Sequence, residues 1–383
     1  MLYRRFPRIE ELEISSLGLG CMRLPLKSAD PADIDEAKVD LLLRTAVDVG
    51  VNYLDNAYPY HGGREESVIG ASLERNGLRD SFYLATKCPV WLVESAGDFE
   101  RILDEQLGRL RTDHIDFYLL HALSGERWGE AEKLGVLSAM ERFKADGRVR
   151  HLGFSFHDNL DAFKRIIDAY PGWEFCQVQF NYMDRDYQAG EAGLAYAAER
   201  ELGVVVMEPL RGGVLARAPR AVREIFARYP KPRLPAEWAL RYVWERQEVV
   251  TLLSGMGSVE ELLANAAVAE GSRPNTLTKV ELGLIDEARA FYRAKQPVPC
   301  TACGYCGPCP QGVAIPDVFG AYNAAVMFDA REERSRWYSS FLGKTGAGAC
   351  VRCGACAPKC PQGISIPDLL AEAHDYLSQG VTA

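Results

Sequence analysis

Unbroken apolar runs rich in Val, Ile, Leu and Phe recur up to about position 256 and alternate with amphipathic stretches. They predict strands at Leu17–Leu24, Val51–Ala57, Phe82–Lys87, Ile115–His121, Val149–Phe156, Phe175–Asn181, Val204–Leu210 and Val250–Gly255. Helical periodicity lies between them at Ala37–Val49, Ser67–Arg75, Phe99–Leu110 and Ala189–Glu201, and Arg220–Arg246 forms a last, Pro-rich connection. Continuous rather than alternating apolar strands, each followed by a helix, predict a parallel sheet covered by helices. Eight strands at this spacing over about 250 residues fit an α/β fold of the TIM (β/α)8 barrel kind. The alternating segment Leu2–Ile14 predicts a short hairpin covering the base of that barrel.

A helix predicted over Lys279–Lys295 runs into Gln296-Pro297-Val298-Pro299, the clearest domain boundary in the chain. We therefore expect a barrel over residues 1–295 and a second domain over 296–383. The second part contains a repeat: Cys-Pro-Gln-Gly-Val-Ala-Ile-Pro-Asp at 309–317 returns as Cys-Pro-Gln-Gly-Ile-Ser-Ile-Pro-Asp at 360–368. Each copy leads into a helical pattern, Val318–Phe328 and Leu369–Leu377. Proline in the first turn and a following Asp near the positive helix end suit helix initiation.

Eight of the eleven cysteines fall in this part, as Cys300-x2-Cys303-x2-Cys306-x2-Cys309-Pro310 and Cys350-x2-Cys353-x2-Cys356-x3-Cys360-Pro361. Three thiolates at two-residue intervals followed by a remote Cys-Pro are the ligand arrangement of a bacterial-type [4Fe–4S] ferredoxin, in which the fourth cysteine of each run serves the other cluster. The expected sets are Cys300, Cys303, Cys306 and Cys360 for one cluster, and Cys350, Cys353, Cys356 and Cys309 for the second. The first run departs from the pattern by having two residues, not three, before its last cysteine. Structural zinc is the competing assignment, but a zinc ribbon uses pairs of cysteines and leaves the third cysteine and the prolines without a role. The helical segment between the runs points to an α-helical ferredoxin-like domain.

A chain of 383 residues with 48% hydrophobic content builds a large core without disulfide staples. Its net charge of −9 offers no basic footprint for nucleic acid or an anionic membrane surface. The opening MLYRRFPRIEELEISS has no apolar run behind its arginines, so a signal peptide is not expected. A cytoplasmic protein with reduced thiols is the expectation.

The second predicted strand leads into Gly50-Val-Asn-Tyr-Leu-Asp55-Asn-Ala-Tyr-Pro-Tyr60; the third ends at Lys87 and the fourth at His121. A TIM barrel builds its active site at the carboxyl ends of its strands. A charge closing the run Phe-Tyr-Leu-Ala-Thr-Lys87 needs a reason. An ammonium near a phenol favours the phenolate, which would make Tyr60 a readier proton donor to an alkoxide forming from a carbonyl. Asp55 would compensate the buried lysine, and His121 would orient the carbonyl oxygen.

On these motifs, together with Ile-Asp-x-Tyr-Leu-Leu-His, the chain resembles the aldo-keto reductase family over roughly residues 10–290, and its cysteine-rich end is similar to an iron–sulfur subgroup. The resemblance implies Tyr60 as general acid with Asp55, Lys87 and His121 around it. It also implies a nicotinamide cofactor, NADP or NAD. Ser155 and Gln177 match the residues that hold the carboxamide, with Phe156 where an Asn is expected. Met207-Glu208-Pro209-Leu210 falls where the family often places a stacking Tyr, and Arg211 with Gly212 follows as a candidate pyrophosphate contact. Ser258 and Asn265 belong to the segment resembling the adenosine-phosphate loop, which has Gly257 and Leu263 where a cation would meet a 2′-phosphate.

The expected function is carbonyl/alcohol interconversion on a small molecule by a barrel fused to a two-cluster electron-transfer module. Hydride moves two electrons together while each cluster passes one, so direct coupling calls for an intermediate that tolerates a radical state. A flavin in the barrel mouth would serve, although the sequence shows no flavin fingerprint, and a ferredoxin-like or other redox protein is the candidate electron partner. The alternative from another class is a barrel scaffold that presents the clusters to such a partner without nicotinamide chemistry.

Overall fold

The computed structural model describes all residues except Ala29, Ser272, Thr301, Cys303, Pro361 and 380–383. Its strands are β1 (Tyr3–Phe6), β2 (Ile9–Ser15), β3 (Leu17–Gly20), β4 (Tyr53–Asp55), β5 (Tyr83–Cys88), β6 (Ile115–Leu123), β7 (Val149–Phe156), β8 (Phe175–Gln179), β9 (Gly203–Met207) and β10 (Val249–Ser254). Strands β3 to β10 close into a parallel barrel in chain order, β10 pairing with β3. Every predicted barrel strand is present.

The helices around the sheet are α1 (Glu36–Asp48), α2 (Glu65–Asn76), α3 (Ala96–Leu110), α4 (Gly125–Lys133), α5 (Val136–Ala145), α6 (Leu160–Ala169) and α7 (Gly190–Ala198). Next come α8 (Arg220–Phe226), α9 (Pro235–Trp244), α10 (Val259–Glu270) and α11 (Lys279–Ala294). Capping fits the sequence: Asp35 caps α1, a Ser95/Asp98 capping box opens α3, and a Thr278/Glu281 box opens α11.

The predicted hairpin is the antiparallel pair β1–β2. Its Phe6, Ile9 and Ile14 pack with Tyr53, Phe117, Phe175 and Val250 from the amino-terminal halves of barrel strands. Phe6 fits so closely that a Cβ on Gly203 would stand 1.9 Å from its ring. The hairpin thus plugs one end of the barrel, leaving the other end to chemistry.

Some strands end earlier than the apolar pattern suggests. The run Leu17–Leu24 is strand only to Gly20 and then turns through Cys21–Arg23, because Cys21 and Leu24 are buried in the turn itself. In β6 the strand instead passes His121 and reaches Leu123, with a positive φ of 51° at Ala122.

The chain divides into two compact units, Met1–Arg211 with Glu237–Leu277, and Gly212–Ala236 with Thr278–Ala383. The second unit takes α8 and α11 together with α12 (Ile315–Met327), α13 (Arg331–Trp337) and α14 (Ile366–Ser378). Both repeats open helices as predicted, with proline in the first turn of α12 and α14. Val298, Ile315, Phe319, Ile364, Ile366 and Leu370 belong to one core, against which Cys300, Cys306, Cys309, Cys350 and Cys360 pack. No helix among the described residues is long and apolar enough to cross a membrane.

Candidate functional site

Lys87, near the end of β5, is 1% exposed although charged. Burial alone would strip its proton, yet its ammonium is held well above the usual lysine range by the carboxylate of Asp55 and by Tyr60. Nζ donates to Asp55 Oδ1 at 2.7 Å, to the Asn56 carbonyl at 2.7 Å and to the Tyr60 hydroxyl at 3.4 Å. Asp55 ends β4, and Tyr60 begins the turn that follows. Parallel strands in register bring these groups together: Asp55 lies beside Ala85, two residues before Lys87.

The phenol behaves differently from expectation in one respect. Lys87 does pull its pKa down, but burial is the larger effect and Tyr60 stands at about 12. Tyr60 therefore holds its proton across the neutral range. His121 lies edge-on to it, ring centroids 6.2 Å apart. Burial pushes the imidazole pKa well down, and Lys87, His157 and Arg127 push the same way. His121 is thus a neutral imidazole, and its Nδ1 is buried without a partner among the described residues.

The carboxamide-matching pair flanks this group. Gln177, on β8, acts on Asp55 through a side-chain hydrogen bond, while its Oε1 is buried without a partner among the described residues. An orphaned buried acceptor calls for a donor from outside, and a primary carboxamide supplies one. Ser155 Oγ accepts the Ala122 N–H at 2.7 Å. Phe156 stands where an Asn was expected; it is fully buried against Phe163, ring centroids 5.0 Å apart.

Other matched positions are already engaged. Pro209, Leu210 and Arg211 lie in the turn after β9, and Arg211 pairs with buried Asp184 at 3.1 Å. Gly212, with φ of 68°, begins the second unit. Ser258 caps α10, and Glu261 Oε2 of that helix accepts the Gly257 N–H at 2.9 Å. Asn265 is turned inward, donating to Ser254 Oγ at 3.2 Å. Leu263 is 47% exposed, and Arg23 lies against Gly255, whose added Cβ would be 3.0 Å from Arg23 Cδ. Sequence reasoning missed buried Glu65, whose carboxyl accepts the Ala57 N–H at 3.3 Å and is raised by burial and by Glu66. Only its place before an apolar helical run could have drawn notice.

In the second unit, Cys300, Cys306 and Cys360 line one small pocket together with Gly304, Ile315, Phe319 and Ile364. Three members of the first expected set thus share a space, including the one from the distant run; Cys303 lies outside the described residues. Cys356 belongs to the other set: burial raises its thiol pKa, and Cys350, Cys309 and Cys353 raise it further as neighbours. Described residues at matching positions of the two runs share backbone features. Ala302 and Arg352 have φ of 57° and 55°, Gly304 and Gly354 both 77°, and the Ala302 and Arg352 N–H groups each approach the preceding cysteine Sγ at 3.4 Å. Amides turned onto sulfur in left-handed loops suit anionic sulfur clusters.

A model of the aldo/keto reductase family matches residues 16–290. The chain belongs to that family. A 4Fe-4S dicluster domain matches residues 299–364, so the family barrel is followed by a ferredoxin-type module. The chain is 28% identical to methylglyoxal reductase YeaE of Escherichia coli over 69% of this chain and 89% of the relative. It is 26% identical to the oxidoreductase YqkF of Bacillus subtilis over 71% and 92%. The holo form of an aldo-keto reductase from Bacillus halodurans superposes with a TM-score of 0.61 at 27% identity, covering 75% of this chain and 96% of that one.

Proposed function

We propose that this aldo/keto reductase interconverts carbonyl and alcohol with a nicotinamide cofactor, and that its cysteine-rich region, residues 296–383, holds two [4Fe–4S] clusters. The observation that carries the reading is the buried Lys87 ammonium held between Asp55 and the Tyr60 hydroxyl. A buried cation clamped against a phenol has a chemical use: it stabilises the phenolate left when the proton departs.

A nicotinamide, when bound, would supply the hydride chemistry. Tyr60 donates its phenolic proton to the carbonyl oxygen, and Lys87 lowers the cost of the resulting phenolate. Asp55 keeps Lys87 charged and in place. The neutral imidazole of His121 hydrogen-bonds the carbonyl oxygen and orients it towards Tyr60. Gln177 Oε1, with Ser155 beside it, would hold the carboxamide. The name of the methylglyoxal-reducing relative supports a small carbonyl compound as substrate.

Cys300, Cys303, Cys306 and Cys360 would hold one cluster and Cys350, Cys353, Cys356 and Cys309 the other, and the clusters would supply one-electron transfer to a ferredoxin-like partner or a flavin. The test is a fluorescence titration of the anaerobic protein with NADPH and NADH, followed by turnover with a carbonyl panel. Saturable binding and nicotinamide oxidation are expected. A protein that carries clusters but neither binds nicotinamide nor reduces any carbonyl would be the scaffold instead.

A further inference from the structure

Beyond the acid, a second line of side chains leads outward from His121. Trp91, in the turn after β5, lies with its ring 5.0 Å from that of His121 and is 41% exposed. The guanidinium of Arg127, in the first turn of α4, stands 5.1 Å from the Trp91 ring centroid. Tyr60, His121, Trp91 and Arg127 thus form a continuous series from proton donor to cation, all within the barrel unit.

Arg127 is fixed but not neutralised. Its Nη1 donates to the Ala122 carbonyl at 2.8 Å and its guanidinium stands over the Trp91 ring, and it takes part in no ion pair among the described residues. Asp158, the acid on the adjoining turn, accepts from the Gly125 N–H at 2.9 Å and the Asn159 N–H at 2.7 Å. The remaining guanidinium donors keep the fork that matches a carboxylate, and the part-exposed indole beside them offers an apolar surface for a spacer. A half-buried cation without an acid beside a neutral imidazole is poised for an anion brought by a ligand.

We propose that Arg127 and Trp91 select carbonyl substrates carrying a carboxylate separated from the carbonyl by a flat or apolar spacer. The carbonyl sits at Tyr60 and His121, the spacer on Trp91 and the carboxylate on Arg127. The inference rests on the reductase reading for the position of the carbonyl.

The probes are 4-carboxybenzaldehyde and its methyl ester, alike in shape but differing by one charge. Wild type shows a KM about tenfold lower for the acid than for the ester, and in Arg127→Met that ratio falls to about one, with Arg127→Lys between. A wild-type ratio near one, or a ratio unchanged in Arg127→Met, overturns the proposal. Binding is read in parallel by quenching of tryptophan fluorescence. If neither compound is reduced yet the acid quenches in an Arg127-dependent way, the carboxylate site stands and the reductase reading falls. If neither is reduced and quenching ignores Arg127, the carboxylate site falls as well.

Discussion

The Lys87 ammonium reaches the carboxylate of Asp55 at 2.7 Å, and both side chains are almost completely removed from solvent. Two strands in register place them there, and the pair is both a structural joint and the base of the candidate site. Removing one partner leaves an uncompensated buried charge. Lys87→Met should therefore lower stability by about 3–5 kcal/mol as well as abolish turnover. Lys87→Met with Asp55→Asn should recover much of the stability and none of the activity. Denaturant unfolding of the two variants checks this; full stability in Lys87→Met alone would contradict it.

The pH dependence follows from Tyr60 at about 12 and from the depressed His121. Carbonyl reduction needs the protonated phenol, so its kcat/KM should stay level from neutrality upward and fall only towards the phenol pKa. Alcohol oxidation needs the phenolate and should rise with pH, about tenfold per unit below that pKa. His121 stays neutral through the ordinary imidazole range, so neither direction should show a step near pH 6.5, the usual histidine value. An imidazole-like step that disappears in His121→Gln would show that the ring titrates after all.

Iron and acid-labile sulfide should each amount to about eight per chain, four for each cluster. Crossed ligation makes a sharper claim. Cys360→Ser should remove the cluster held by Cys300 and its neighbours, so iron should fall to about four and not fall further when Cys300→Ser is added. Cys360→Ser with Cys350→Ser should lose both. If instead Cys360 and Cys350 prove to share a cluster, the assignment reverts to one run per cluster.

Nicotinamide discrimination should be weak. Gly257 has no side chain, Leu263 is apolar, and Glu261 already accepts the Gly257 N–H, so none of them offers a cation to a 2′-phosphate. The Kd values for NADPH and NADH should agree within about tenfold, and Leu263→Arg should shift the ratio towards NADPH by about as much. A strong NADPH preference in the wild type would pass the role to Arg23, which lies against the same loop.

The barrel was readable because its strands are buried on both faces and so appear as unbroken apolar runs; the hairpin appeared as alternation. The ferredoxin-type module was readable because cluster ligation fixes a cysteine spacing. Asp55, Lys87 and His121 lie at or near strand ends and Tyr60 in the turn after β4, where sequence position alone gives an approximate location. What stayed hidden is what only topology brings together. Arg127 and Trp91 lie far apart in sequence and meet because consecutive parallel strands deliver their loops to one end of the barrel. The engagement of Arg211 by Asp184, and the inward turn of Asn265, depend on side-chain partners that no periodicity reports. The upward pull on Tyr60 was also hidden, since burial outweighs the neighbouring charge only once the surroundings are built.

The most direct test of the account is Tyr60→Phe, assayed on the carbonyl the wild type reduces fastest, with nicotinamide Kd measured alongside. The variant deletes one hydroxyl and leaves the Lys87–Asp55 pair. The account predicts a fall in kcat/KM of about 10²–10⁴-fold with the nicotinamide Kd changed by no more than about twofold. Turnover within a few-fold of wild type would contradict it, because the proton would then come from a group other than this phenol.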